Sequence, residues 1–432
     1  MWIHGALATA LLMSNACRDD EDDGDSADSA ASSGSTGITS TTTGVDSSGG
    51  TTELGTTDGS TGGSTSTGDE ATTTGGTTGG AACGDGVAVA GELCWGPSTL
   101  LAKTPTGDIV IADMDGDGAL DLIAGHAGSF SIHPGNGDGT FADAVIVGTP
   151  SGVLGVAVGL FDGDDNLDVA ASNTGDDTVG IHLGNGDGTV SAGQVIAVGN
   201  SPRGIAVADF DGGGLDLAVT NEASGTVSIL LGQGDGTFAS DSDLLVGSSP
   251  IAVVATDLDD DMNIDLVVDN FGPGTISVFL GGPGGFGPES AFGTGVAPRT
   301  VIARDLDGDG AIDISTPNQA NDNFAVLLGS GMGSLGMPNF FATGVGPRDG
   351  ADGDFDGDGL PDIALALETD NAIGVLRNDR RDGLSFEAGD PIATITRPSV
   401  VAIGDLDGDG VDDIAVGSIE AGGGLAVILA DP

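Results

Sequence analysis

Between residues 113 and 413 the chain returns seven times to one acidic loop, and that repetition limits its fold more than any other feature. The complete copies read DMDGDGALD from Asp113, DLDDDMNID from Asp257, DLDGDGAID from Asp305, DFDGDGLPD from Asp354 and DLDGDGVDD from Asp405. Two weaker copies lie between the first and second of these, LFDGDDNLD from Leu160 and DFDGGGLD from Asp209. Successive copies start 47 to 51 residues apart. Short Val/Ile/Leu/Ala runs alternate with Gly/Asp/Asn turns over each period, which is the pattern of a β-strand repeat array.

A second element keeps step with the first. It reads SIHPGNGDGTF at 131–141, GIHLGNGDGTV at 180–190, SILLGQGDGTF at 228–238 and, more loosely, SVFLGGPGGF at 277–286. Each unit therefore runs strand, acidic loop, strand, loop, strand, Gly-rich hairpin, strand. Four strands in each of seven units predict an all-β, seven-bladed β-propeller over residues 95–432. The chain ends fit ring closure. The seventh unit stops at GGLAVILADP, short of its last strand, whereas WGPSTLLAKTPTG before the first loop aligns with FADAVIVGTPSG at 141–152. The N-terminal strand is expected to complete the last blade, with Trp95 in the Phe141 position, which removes an open sheet edge.

Within a complete loop the acids fall at positions 1, 3, 5 and 9. Carboxylates this close repel one another unless a cation sits among them. A hard cation accepting six to eight oxygens in flexible geometry suits the pattern, and calcium is that cation. The candidate ligands are Asp113, Asp115, Asp117 and Asp121; Asp257, Asp259, Asp261 and Asp265; Asp305, Asp307, Asp309 and Asp313; Asp354, Asp356, Asp358 and Asp362; and Asp405, Asp407, Asp409 and Asp413. The backbone carbonyl at position 7, from Ala119, Asn263, Ala311, Leu360 or Val411, would add another oxygen. An EF-hand is excluded, because position 12 holds Ala124, Val268, Thr316, Leu365 or Val416 and the flanks are β-rich. In the first weak copy Leu160 replaces a carboxylate, leaving Asp162, Asp164 and Asp168 as a weak site. The copy at Asp209 has Gly213 in place of the third acid and is one residue shorter before Asp216, so no binding is expected there. The expectation is five calcium sites and a sixth, weaker one.

The motif D-x-D-x-D-G-x-x-D between strands, in register with G-x-GDGTF hairpins, resembles FG-GAP/VCBS repeats, and the resemblance covers about 340 residues. It implies the calcium-bearing propeller of integrin α-subunits and many bacterial surface proteins, with a structural ion in the first interstrand loop of a blade. It also implies a non-enzymatic surface module for adhesion or for recognition of a protein or glycan ligand. The alternative is a lyase-like, polysaccharide-active enzyme built on the propeller loops, and a third reading is a plain scaffold. The sequence carries no HExxH, GxSxG or phosphate-loop motif.

On the side opposite the acidic loops, Asn173, Asn221, Asn270 and Asn318 stand five residues after the last acid of their copies, with His126 in the same place in the first. Arg203, Arg299 and Arg348 each follow a proline ahead of the inner strand, and Arg397 lies close by. These residues read either as a ring of donors around the channel mouth, able to hold an acidic or glycan ligand, or as turn-shaping Asn and locally paired Arg. His133 and His182 share one strand position in adjacent blades and are expected in the core or channel rather than as a catalytic pair.

With 66 Asp+Glu against 10 Lys+Arg, the net charge of −56 argues against nucleic acid or an anionic membrane surface as a partner. Residues 3–13 form an apolar run too short to span a bilayer. It ends at SNAC, which resembles a bacterial lipoprotein signal and implies lipidation of Cys17; ordinary signal cleavage is the other reading. Both export the chain, to the outer membrane or cell surface as a lipoprotein or else as a secreted protein, and a lipid anchor would be its sole membrane contact. Residues 18–82, rich in Ser, Thr, Gly and acids, are expected to form a disordered linker spanning on the order of 45 Å. In an exported chain the CGDGVAVAGELC stretch at 83–94 predicts a hairpin stapled by a Cys83–Cys94 disulfide. It also resembles a small disulfide-bonded repeat of exported myxobacterial proteins.

Overall fold

The computed structural model describes residues 95–379, 384–420 and 423–430. The signal segment with Cys17, the linker and the Cys83–Cys94 hairpin lie outside these residues.

Strand β1 (Thr99–Ala102) is followed by β2 (Thr106–Ala112), β3 (Asp121–His126), β4 (Ser129–His133) and β5 (Val145–Gly148). Strands β2 to β5 pair in that order, each antiparallel to the next, and make blade 1. Five further sheets repeat this order with first strands starting at Val153, Pro202, Pro250, Ile302 and Pro347. The seventh takes Val400–Gly404, Asp413–Gly417 and Leu425–Ile428 from the end of the chain. Its outer place is filled by β1, with Thr99 opposite Val427 and Leu100 opposite Ala426. The ring is thus a seven-bladed β-propeller closed by its N-terminal strand. Trp95 bridges Ala430 as Phe141 bridges Gly135, which is the register the sequence alignment requires.

The hydropathy of each strand follows from its place in the ring. The second strands, such as DLIAGH in β3 and DLVVDN at Asp265–Asn270, are buried along their whole length. Each lies between two strands of its own sheet and is covered by a neighbouring blade on both faces, so small and β-branched side chains run on without polar alternation. Outer strands such as β5 have only partly buried and exposed residues. The core accordingly lies between blades, as where Ile123, Phe130 and Ile132 of blade 1 cluster with Val156, Val158 and Val169 of blade 2.

Aromatic rings stitch the blades near the acidic loops. Phe161, second residue of its loop, meets Phe238 of the next blade edge-on at 5.3 Å, and Phe210 meets Phe286 likewise at 5.3 Å. Trp95 packs on Phe355 at 5.4 Å in the same relation, joining blade 6 to the completed blade 7. Such contacts add about 1 kcal/mol each beyond the area they bury.

Candidate metal loops and the channel mouth

Every acidic loop connects the first two strands of a blade, so all seven emerge on one face. The closing aspartate of each is buried, and both its oxygens are occupied by backbone donors. Asp121 Oδ2 accepts the Met114 N–H at 2.8 Å and Oδ1 the Gly135 N–H at 2.8 Å. The same pair of bonds recurs at Asp168, Asp216, Asp265, Asp313, Asp362 and Asp413. This carboxylate pins its loop to the far end of the third strand. Burial pushes Asp121, Asp216, Asp265 and Asp313 up to about 6, and Asp362 and Asp413 up to about 7, with the neighbouring carboxylate charges adding to the rise.

The first aspartate curls the loop around itself: Asp113 Oδ1 accepts the Gly116 N–H at 2.8 Å and Oδ2 the Gly118 N–H at 3.0 Å. The loops at Asp305 and Asp405 repeat both bonds. The fifth-position aspartate behaves differently. Asp117, Asp261, Asp309, Asp358 and Asp409 are exposed, and each accepts the position-7 N–H in a local turn. Carboxylate oxygens converge instead from positions 1, 3 and 9. Asp113, Asp115 and Asp121 bring oxygens within 4.8 Å of one another, as do Asp257, Asp259 and Asp265, Asp305, Asp307 and Asp313, and Asp354, Asp356 and Asp362.

These loops fit a hard cation. The converging donors are oxygens alone, and in blade 4 Asp259 Oδ1 is enclosed and accepts no hydrogen bond. A carboxylate oxygen buried without a donor among like charges is costly unless a cation satisfies it. The loop expected to be empty shows the same convergence, since Asp209, Asp211 and Asp216 also come within 4.8 Å. Gly213 stands where the outlying fifth-position acid would be, and its N–H turns back to Asp209 and Asp211, so the substitution spares the converging set. In the loop from Leu160, Asp164 takes the turn role by accepting the Asn166 N–H at 2.8 Å, and the apolar Leu160 contributes no side-chain oxygen.

The Gly-rich hairpins share this face and brace the neighbouring loops, a role the sequence pattern alone did not reveal. Gly139 N–H donates to Leu406 O at 3.1 Å, and Gly236 N–H to Phe161 O at 2.9 Å. The signal was present in the strict step between the GDG hairpins and the acidic loops.

The opposite face separates the Asn and Arg candidates. Asn173, Asn221, Asn270 and Asn318 are buried. Their amides donate inward, as from Asn221 to Thr226 at 3.1 Å and Ser228 at 2.9 Å, and from Asn270 to Ser277 at 2.8 Å. A Cβ on Gly247 would come within 2.7 Å of Asn270 Cγ, so backbone packs directly on this side chain. The Asn residues hold turns and do not present donors at the mouth.

The arginines do gather. Arg203, Arg299 and Arg348 line a cavity of about 220 Å³ in the channel, together with Asp108, Asp349 and apolar residues such as Leu154 and Ile251. Arg203 pairs with Glu222 at 3.0 Å and Arg348 with Glu368 at 3.1 Å. Arg397 reaches Glu368 at 2.5 Å and Glu420 at 2.8 Å. Arg299 donates from Nε to Gln319 Oε1 at 2.7 Å and lies 4.6 Å over the Phe271 ring.

The histidines are elsewhere, in the core of blades 1 and 2. His126 Nδ1 donates to Pro105 O at 3.0 Å, which leaves Nε2 to accept from Ser131 Oγ at 2.7 Å, while Ser131 Oγ lies 3.0 Å from His133 Nε2. His182 packs edge-on against Phe130 at 4.9 Å. Burial lowers the pKa of all three, to about 4 for His133, so they act as neutral packing groups.

Residues 113–171 and 354–416 match the FG-GAP-like repeat family. No curated protein sequence matches the chain. Among solved structures, a catalytically inactive virginiamycin B lyase from Staphylococcus aureus with quinupristin is 15% identical with a TM-score of 0.54, covering 78% of this chain and 99% of its own. A chain of the crystal structure of BBS1N in complex with ARL6DN, 12% identical with a TM-score of 0.55, covers 78% of this chain and 97% of its own. At these identities the likeness shows a common fold.

Proposed function

This chain is an FG-GAP-repeat β-propeller, and we propose that it serves as a non-enzymatic, calcium-stabilised recognition module displayed outside the cell. The observation that carries the reading is the carboxylate convergence, recurring blade after blade and including an enclosed, unpartnered oxygen on Asp259. Asp113, Asp115 and Asp121, with their counterparts in the other loops, would hold the ion. When bound, calcium supplies the positive charge that these oxygens lack. Extracellular modules of this kind bind calcium at about 10⁻⁴–10⁻³ M, which fits display outside the cell. Binding then contributes to folding free energy, because the unfolded chain has no assembled site.

A rigid ring held this way leaves its other face free for a ligand. The likeness to a lyase lends no catalytic group to this chain. The buried histidines do not line the channel cavity, and Tyr is absent from the sequence. Thermal melts of the full chain in calcium, in magnesium and in chelator test the reading. A large fall on chelation, reversed by calcium and not by magnesium, is the expected result. Indifference to chelation, or turnover of acidic polysaccharides by the purified chain, would overturn it.

A further inference from the structure

We infer that the channel mouth opposite the acidic loops is an anion subsite centred on Arg299, taking a small ligand that carries a carboxylate or sulfate group. The inference rests on the recognition reading above and specifies the chemistry that this face would select.

Two equivalent positions recur in every blade: six residues before the first position of the acidic loop, and six after its closing aspartate. Blades 3 and 6 place Arg at the first and Glu at the second, and the pairs Arg203–Glu222 and Arg348–Glu368 close as ion pairs. Blades 1, 2, 4 and 7 carry no charge at either position. Blade 5 alone has the cation without the anion, Arg299 with Gln319. Gln319 is fixed in that role, because its Nε2 donates to Glu368 at 2.6 Å while its Oε1 accepts from Arg299 Nε at 2.7 Å. The Nη groups of Arg299 make no hydrogen bond to any described residue.

No nearby carboxylate pairs with Arg299 among the described residues. Asp269, wholly buried, accepts the Ile251 N–H at 3.1 Å and also bonds the Ala252 N–H, both through Oδ1; its Oδ2 has no hydrogen-bond partner, and burial pushes the group up to about 7. Asp108 accepts the Val156 N–H and Asp349 the Val401 N–H, both at 2.9 Å, tying each inner strand to the next blade. Arg299 is therefore a half-buried guanidinium beside two others; burial, then Arg348 and Arg203, depress it to about 10. An oxyanion relieves both costs, and a planar fork with two free donor groups binds one bidentately. The Phe271 ring beneath holds that fork in place, and the cavity of about 220 Å³ has room for a ligand the size of one sugar.

The test is calorimetric titration of the calcium-loaded full chain with glucuronate, with glucose as its uncharged match and with inorganic sulfate. Saturable binding of glucuronate and none of glucose is expected. Competition by sulfate would define the determinant as any oxyanion, and its failure to compete would define it as a carboxylate. Arg299→Gln should weaken glucuronate at least roughly tenfold, the loss of one charge-assisted pair. Gln319→Glu supplies the pairing used in blades 3 and 6, so it should weaken glucuronate as much, while its second carboxylate against Glu368 should lower the melting temperature modestly. Absence of binding to both anions, or equal affinity in the wild type and both variants, overturns the inference. A chain that still melts in a calcium-dependent way in that case keeps the recognition reading; loss of calcium dependence removes that reading instead.

Discussion

The two faces of the ring are built in contrasting ways. On the loop face one device recurs in all seven blades: a buried aspartate accepts one N–H from its own loop and one from the end of the third strand. At the mouth the equivalent positions differ from blade to blade, with Arg203 facing Glu222, Arg299 facing Gln319, and Leu154 facing nothing charged. Repetition marks what every blade needs to close. Variation marks where the ring can be particular about a ligand.

Four measurements test this contrast between the faces. Chelation acts on the loop face alone and should lower the melting temperature by roughly 10 °C or more, because several sites contribute together. Its size should depend on pH. Burial raises every closing aspartate, six of them to about 6 or 7, above the unfolded value near 4, so the metal-free fold favours their neutral form. Stability of the chelated chain therefore falls as pH rises from about 4 to about 7. Melts in chelator at pH 5 and pH 8 check the sign, and greater stability at pH 8 would contradict it.

Next in size is the mouth. Glu368→Gln leaves Arg348 and Arg397 without their shared carboxylate and should cost about 3 kcal/mol in denaturant unfolding, equally with and without calcium. Within the loops, Asp121→Ala strands two buried N–H groups and should cost about 3 kcal/mol, whereas Asp117→Ala removes one exposed turn bond and should cost about 0.5 kcal/mol. Equal losses would mean the two aspartates are interchangeable. A further small effect has the opposite sign. Blade 4 keeps Asp260 and Met262 at φ of 60° and 70°, where blade 1 has Gly116 and Gly118. Met262→Gly should therefore stabilise the calcium-loaded chain by about 1 kcal/mol.

The ring, its strand order and its closing register were legible in the sequence because they are written in local signals. Charge and glycine mark each loop, and Trp95 falls where Phe141 falls whatever surrounds it. The division of labour inside the loops was not legible. Asp117 and Asp121 are alike as letters; they differ because Gly135 lies fourteen residues beyond Asp121 and meets it only in the folded blade. The convergence in the Asp209 loop was hidden for the same reason, since the acid it lacks is one that points outward elsewhere. Asn270 and Arg299 both looked like mouth donors, and only packing against Gly247 and Phe271 tells the buried turn amide from the lining guanidinium.

Strand β1 pairs with residues more than three hundred positions away, across every other blade of the ring. During synthesis the first strand of the domain must therefore wait, its edge unclaimed, until the final one has emerged. Six blades can assemble from neighbouring sequence, but the seventh depends on a contact of very high order, which places it late and slow in folding. The seal is in effect a check on completeness. A chain cut short anywhere before Leu425 would keep its other sheets and still lack a partner for its beginning, and would offer that free strand to any edge it met.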